Sequence, residues 1–181
     1  DCRRVGCVSS GRIGLGQRDV GKGVDDAEVA DNPGNAAQMH QPGVAHAVCD
    51  GYAGGEPLET CSRQLLQQQL RRLNARGWTL WVGIEPEFFL LRRDEGGRWQ
   101  VADGQDQLAK PSYDLKSIHR NRGFIDDMRR TLTELGFELQ QIDHEDAMGQ
   151  YEINYRFDDA LSAADRYMLF KVTAHAVAEQ H

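Results

Sequence analysis

The sequence lacks the features of a disulfide scaffold, a zinc module or a membrane span. Its four cysteines, at positions 2, 7, 49 and 61, form no CxxC pair and have no histidine cluster beside them. A reducing cytoplasm is therefore the expected compartment. The longest apolar runs, such as Phe88–Leu91, are far short of the roughly 20 residues a membrane helix needs, so no membrane partner is expected. No basic stripe stands out and the net charge is −7, which argues against nucleic acid as a partner. No charged start followed by an apolar stretch opens the chain, so no secretion signal is expected. It opens on Asp1 rather than Met, as a segment of a longer protein would.

Aromatic residues are missing altogether from positions 1–40, which are rich in Gly, Asp, Arg and Asn and show no apolar period. Gly14-Leu-Gly16 lacks the third glycine of a dinucleotide turn, and Lys22 is not followed by the Ser or Thr of a phosphate loop. The expectation for 1–40 is a disordered or aberrant leader.

What is present is ordinary globular composition, 40% hydrophobic and 27% charged over 181 residues. From Gly43 the pattern changes. Val44–Cys49 alternates as a strand would, and 50–56 is a Gly-rich turn. Leu65, Leu66, Leu70 and Leu73 give 62–76 a helical face, stopped by Gly77. A single long strand is expected over Trp78–Leu91, and a polar loop over 92–110. Phe124, Ile125, Met128, Leu132 and Leu135 predict a second helix ending at Gly136. Strands are expected at 137–142 and 151–157, the latter with Tyr151, Ile153, Tyr155 and Phe157 on one face. A last helix, capped by Asp158 or Asp159, would bury Leu161, Ala164, Tyr167, Met168, Lys171 and Val172. Strands and helices mix without a repeated βαβ unit, so the expected class is α+β, an antiparallel sheet with flanking helices.

Two acidic constellations stand out. In Gly83-Ile-Glu85-Pro-Glu87-Phe-Phe89, a strand would put Glu85 and Glu87 on one face and Ile84 and Phe88 on the other. Adjacent carboxylates repel unless a cation lies between them or one stays protonated. In 143–152, Gly149 suggests a turn, with Glu145 ending one strand and Glu152 on the polar face of the next. Such a hairpin could bring two carboxylates beside the first pair, and hard cations such as Mg²⁺ or Mn²⁺ take oxygen ligands. Either motif alone is more often a solvated face or a turn; the combination carries the argument. His144 alone reads as a surface or hydrogen-bonded histidine rather than a ligand.

The run from Gly83 to Leu91 resembles the glutamine synthetase signature in which two glutamates on one strand serve two metal ions. Asp143-His144-Glu145 with Gly149-Gln150-Tyr151-Glu152-Ile153 resembles that family's second signature. Lys110-Pro-Ser-Tyr-Asp114 and Asp159 to Arg166 are most similar to the type III branch, which also contains relatives that join glutamate to methylamine. The resemblance spans about 41–181: a remnant of the N-terminal domain's last strand and turn at 41–58, then the first part of the catalytic domain at 59–181.

The resemblance implies that Glu87, Glu145 and Glu152 hold the metal nearer glutamate, and that Glu85 holds the one bridging the phosphates of ATP. The implied reaction is ATP-dependent ligation of ammonia to the γ-carboxylate of glutamate through γ-glutamyl phosphate, within a homo-oligomer. Methylamine or another amine is the alternative acceptor, and a non-catalytic remnant the alternative from another class. In the family, a further histidine and glutamate ligand and the substrate-binding arginines lie downstream of the region matched. The 181 residues alone are therefore expected to be inactive. A shifted reading frame upstream of Gln41, or a truncated gene, would account for the unmatched start.

Overall fold

The computed structural model describes residues 48–181 and, before them, the backbone at 36–38 and 45–47. Of the leader expected over 1–40, only Ala36–Gln38 falls within the described residues. The described residues form two compact units, one running through Leu80 and including Asp159–Leu161, the other comprising Trp81–Asp158 and Ser162–His181.

In the first unit, β1 (Ala36–Gln38) pairs antiparallel with β2 (Ala45–Ala47), Ala37 opposite His46. β3 (Tyr52–Ala53) and β4 (Glu56–Pro57) make a short hairpin whose turn, Gly54 and Gly55, needs positive φ at both positions (62° and 82°). Helix α1 (Ser62–Asn74) carries Arg63 and Gln67 on one face, four residues apart. Both reach Asp50, the Gln67 amide donating to its two oxygens at 3.1 and 3.2 Å. Leu66, Leu70 and Leu73 are half-buried, while Leu65 is exposed. The helix ends where expected: Gly77 takes φ +77° and Trp78 N–H returns to the Leu73 carbonyl at 3.2 Å.

The second unit holds β5 (Trp81–Val82), β6 (Glu87–Phe89), β7 (Leu91–Arg93), β8 (Trp99–Val101), α2 (Leu115–Arg120), α3 (Arg122–Glu134), β9 (Leu139–His144) and β10 (Gln150–Tyr155). Two elements end the described chain, β11 (Asp158–Asp159) and α4 (Ala160–Ala178). The central sheet is antiparallel, in the order β6-β10-β9. Against it pack Phe124, Ile125, Met128 and Leu132 of α3 and Phe170 and Val177 of α4, with Phe137 and the β10 residues Tyr151, Ile153 and Tyr155 completing the buried cluster. Ile84, Phe88 and Leu90 lean on it from the β6 segment. Among the described residues no helix is long and apolar enough to cross a membrane.

Four expectations need correction. The long strand over 78–91 is broken into β5 and β6, with 83–86 outside any strand. Gly83 weakens a strand and Pro86 has no N–H to donate to a ladder, although its carbonyl accepts from Ile153 N–H at 3.4 Å. The polar stretch after it is not all loop, because β7 and β8 form a hairpin turning at Gly97 (φ +76°). Its strands are short and exposed apart from the half-buried Val101, so no long alternation marks them. Phe157 does not share the buried face of Tyr155: β10 ends there after a register shift at Asn154, and Phe157 is exposed. Finally, α4 buries Ala160, Ala163, Phe170, Thr173 and Val177 rather than the stripe through Met168 and Lys171, both of which are exposed.

Candidate metal centre

Strand register, not side-chain chance, brings three glutamates to one face. Glu87 on β6 is the Cα partner of Glu152 on the central strand β10. Glu145 directly follows β9 and donates its N–H to the Gln150 carbonyl at 2.9 Å, which sets it opposite Gln150. Gln150 and Glu152 are two apart on one strand and share a face, so Glu145 and Glu87 share it too. One carboxylate oxygen from each of Glu87, Glu145 and Glu152 lies within 4.8 Å of the other two. Glu145 and Glu152 are partly buried and Glu87 is exposed.

This is the hairpin geometry expected from Gly149, which takes φ +72° at the turn. The residues expected to alternate with Glu152 do so: Tyr151, Ile153 and Tyr155 are buried, Gln150, Glu152 and Asn154 only partly. Glu85 is different. It is exposed, lies ahead of β6 outside any strand, and does not belong to the group of three.

The electrostatics match a cluster of like charges. The Glu152 carboxyl is pushed above its ordinary value first by burial, then by its hydrogen bond with Glu145 and by the Glu145 and Glu87 charges. Only an Asn154 hydrogen bond opposes this. The Gln150 amide donates to Glu87 Oε2 at 2.6 Å and so fixes one oxygen of that carboxylate. Beside the group, Lys110 Nζ lies 3.2 Å from Asp146 and the Ser112 hydroxyl bonds the same carboxylate, tying 110–112 to the loop that carries Glu145. Three convergent carboxylates with no cationic side chain among them are a donor set for a hard divalent cation. The residues present fit one. Glu87 also borders a groove of about 200 Å³ between β6 and α4, lined by Phe88, Phe124, Tyr167, Phe170 and Lys171.

Sequence reasoning missed two buried acids, one of them tied to the loop that carries Glu145. His144 is fully buried, its Nε2 2.7 Å from Asp106 Oδ2 and its Nδ1 2.8 Å from the Glu145 carbonyl oxygen. Asp103 is buried nearby in a second cluster, accepting from Arg120 Nε at 2.6 Å and from the Ser117 hydroxyl at 3.1 Å. Both aspartates sit in the stretch expected to be a polar loop, where nothing in the sequence separates them from solvated acids.

Comparison with known proteins identifies the family of the chain. Residues 59–181 match the family described as "Glutamine synthetase, catalytic domain". The chain belongs to the glutamine synthetase family. It is 47% identical over 140 residues to a glutamate–methylamine ligase of Methyloversatilis universalis, covering 77% of this chain and 31% of that relative. It is 36% identical over 138 residues to a glutamine synthetase of Rhizobium meliloti, covering 76% of this chain and 31% of the relative. A solved structure of a GmaS–ADP complex superposes with a TM-score of 0.76 at 34% identity, covering 83% of this chain and 34% of that one. This glutamine synthetase-family chain thus spans about a third of the length of the relatives it matches. The small antiparallel sheets and flanking helices of 59–181 are part of the family's catalytic-domain fold.

Proposed function

We propose that Glu87, Glu145 and Glu152 hold a divalent cation, Mg²⁺ or Mn²⁺, in the active site of an ATP-dependent ligase that joins an amine to the γ-carboxylate of glutamate. The observation that carries the reading is the convergence of the three carboxylates within 4.8 Å on one face of the sheet. In the proposed reaction a γ-carboxylate oxygen of glutamate attacks the terminal phosphorus of ATP and ADP leaves. The amine then attacks the acyl carbon of γ-glutamyl phosphate, inorganic phosphate leaves, and the amine loses a proton. The cation would neutralise charge on the transferring phosphoryl group. The chain's own contribution is to supply the carboxylates and to orient them: Gln150 holds Glu87 Oε2, and the Glu145 N–H bond to Gln150 seats the loop. Glu85 is proposed to serve a second cation only from outside this group.

Methylamine is the amine better supported, because the methylamine ligase relative is 47% identical whereas the Rhizobium glutamine synthetase is 36% identical. Ammonia, the acceptor the signatures first suggest, is the alternative. Two measurements test these readings. Mn²⁺ titration of the 181-residue chain, followed by the electron paramagnetic resonance signal of free Mn²⁺, should show saturable binding that Glu87→Gln weakens. Binding that is absent, or equal in both proteins, removes the centre and favours a non-catalytic remnant. For the amine, residues 59–181 replace the matching segment of the Methyloversatilis relative. The hybrid should form ADP with glutamate and methylamine in preference to ammonia; the reverse preference would select ammonia.

A further inference from the structure

Behind the face that carries the three glutamates lies a buried acid whose side-chain hydrogen bonds go to His144 and Gly149. Asp106 has 4% of its surface exposed and His144 has none. One oxygen, Asp106 Oδ2, accepts the Gly149 N–H at 2.6 Å and also meets His144 Nε2 at 2.7 Å. These two residues bracket 145–149, the connection between β9 and β10. The other end of the imidazole faces the Glu145 carbonyl oxygen at 2.8 Å. A carbonyl only accepts, so Nδ1 carries a hydrogen and the ring plane is tied to the Glu145 backbone. The ring is held further by its edge-to-face contact with Tyr151, centroids 5.0 Å apart.

We propose that Asp106 is a positioning residue of the metal centre: by gripping His144 and the Gly149 N–H together, it fixes both ends of the loop that presents Glu145 to Glu87 and Glu152. This rests on the reading that those three glutamates hold a divalent cation. Stability alone is a poor account of Asp106. A buried acid costs desolvation that an apolar residue of similar size would avoid. Its second oxygen, Oδ1, is buried with no hydrogen-bond partner among the described residues, whereas Oδ2 meets two groups of the loop. Glu145 is the ligand with the least support of its own. Glu87 and Glu152 sit within paired strands, whereas Glu145 lies just past the end of β9. Replacing groups that hold a ligand in place without touching the metal typically weakens affinity by roughly 10- to 100-fold.

The test compares Mn²⁺ affinity and thermal melting for four versions of the 181-residue chain: wild type, Glu87→Gln, Asp106→Asn and Asp103→Asn. Asp103→Asn is the control for burial, since Asp103 is also a buried acid but bonds Arg120 and Ser117 rather than the loop. Asp106→Asn should weaken Mn²⁺ binding roughly 10- to 100-fold, while Asp103→Asn lowers the melting temperature and leaves affinity unchanged. Wild-type binding with unaltered affinity in Asp106→Asn overturns this inference alone. A wild-type chain that binds no Mn²⁺ overturns the proposed centre, and this inference with it. If Asp106→Asn does not fold, the wild type decides by nuclear magnetic resonance. Added Mg²⁺ should then shift the Gly149 amide and the His144 ring nitrogens but not Arg120 Nε; unshifted Gly149 and His144 signals overturn the inference.

Discussion

Glu87 and Glu152 stand directly opposite one another across β6 and β10, two negative side chains at a register position where opposite charges or apolar pairs are the stabilising choices. Glu145 joins them on the same face, and β6, β9 and β10 contain no lysine or arginine. The arrangement works against the fold unless a cation offsets it, and that opposition can be measured.

Replacing Glu152 by Gln should make the metal-free chain more stable, by about 0.2–1 kcal/mol for relief of a cross-strand like-charge pair. The same substitution should abolish the extra stability that Mn²⁺ gives the wild type, since a ligand that binds only the folded state stabilises it by mass action. Urea denaturation with and without Mn²⁺ checks both halves. A Glu152→Gln chain less stable than wild type in the absence of metal would show that the three charges are not in conflict.

The pH dependence has a definite sign. Burial first, and then the Glu145 hydrogen bond and the Glu145 and Glu87 charges, raise the Glu152 carboxyl above its ordinary value of 4.5. Between the ordinary and raised values the folded chain keeps a proton that the unfolded chain has released. Stability from this group is therefore greatest below that window, falls as pH rises through it, and stays lower above. Saturating Mg²⁺ should remove the fall. Urea midpoints followed from the ordinary glutamate range to neutrality, for wild type and Glu152→Gln, would show the decline only in the metal-free wild type.

Gly149→Ala should be one of the most damaging single-methyl changes in the chain. The glycine takes φ +72°, where strain for a side-chain-bearing residue is about 1–3 kcal/mol. A Cβ there would also meet Val101 Cγ1 at 2.7 Å and the Leu90 carbonyl oxygen at 3.3 Å. Gly136→Ala separates the two costs: its φ is +81° but nothing lies within 4 Å of the new Cβ. Chemical denaturation should therefore show a larger loss at 149 than at 136. Mn²⁺ affinity should drop only for the substitution at 149, since that turn sets Glu145 against Glu152.

The trio was legible because strand alternation and a turn glycine say which side chains share a face, and both signals were intact around 149–155. The same two-residue argument pairs Glu85 with Glu87 only if both lie in a strand, and the backbone ahead of Glu87 is not one. The α4 face is ambiguous in sequence because apolar residues fall on several sides of the helix, so more than one stripe fits the spacing and packing selects the one through Phe170. Asp106 and His144 were beyond reach for another reason. They are 38 residues apart in sequence, and only tertiary structure turns one acid of a polar stretch into the partner of a buried ring.

The register at β10 also dictates an order of events. Glu145 and Glu152 flank a single tight turn, so they can meet as soon as that hairpin closes. Glu87 is separated from them by β7, β8, α2, α3 and β9, and reaches them only after a long loop has been closed and β6 has docked on the edge of β10. When the full segment refolds, Glu145 and Glu152 therefore meet before Glu87 docks beside them. Divalent ions met at that stage would be held weakly and released easily, and firm capture would coincide with the closing of the sheet.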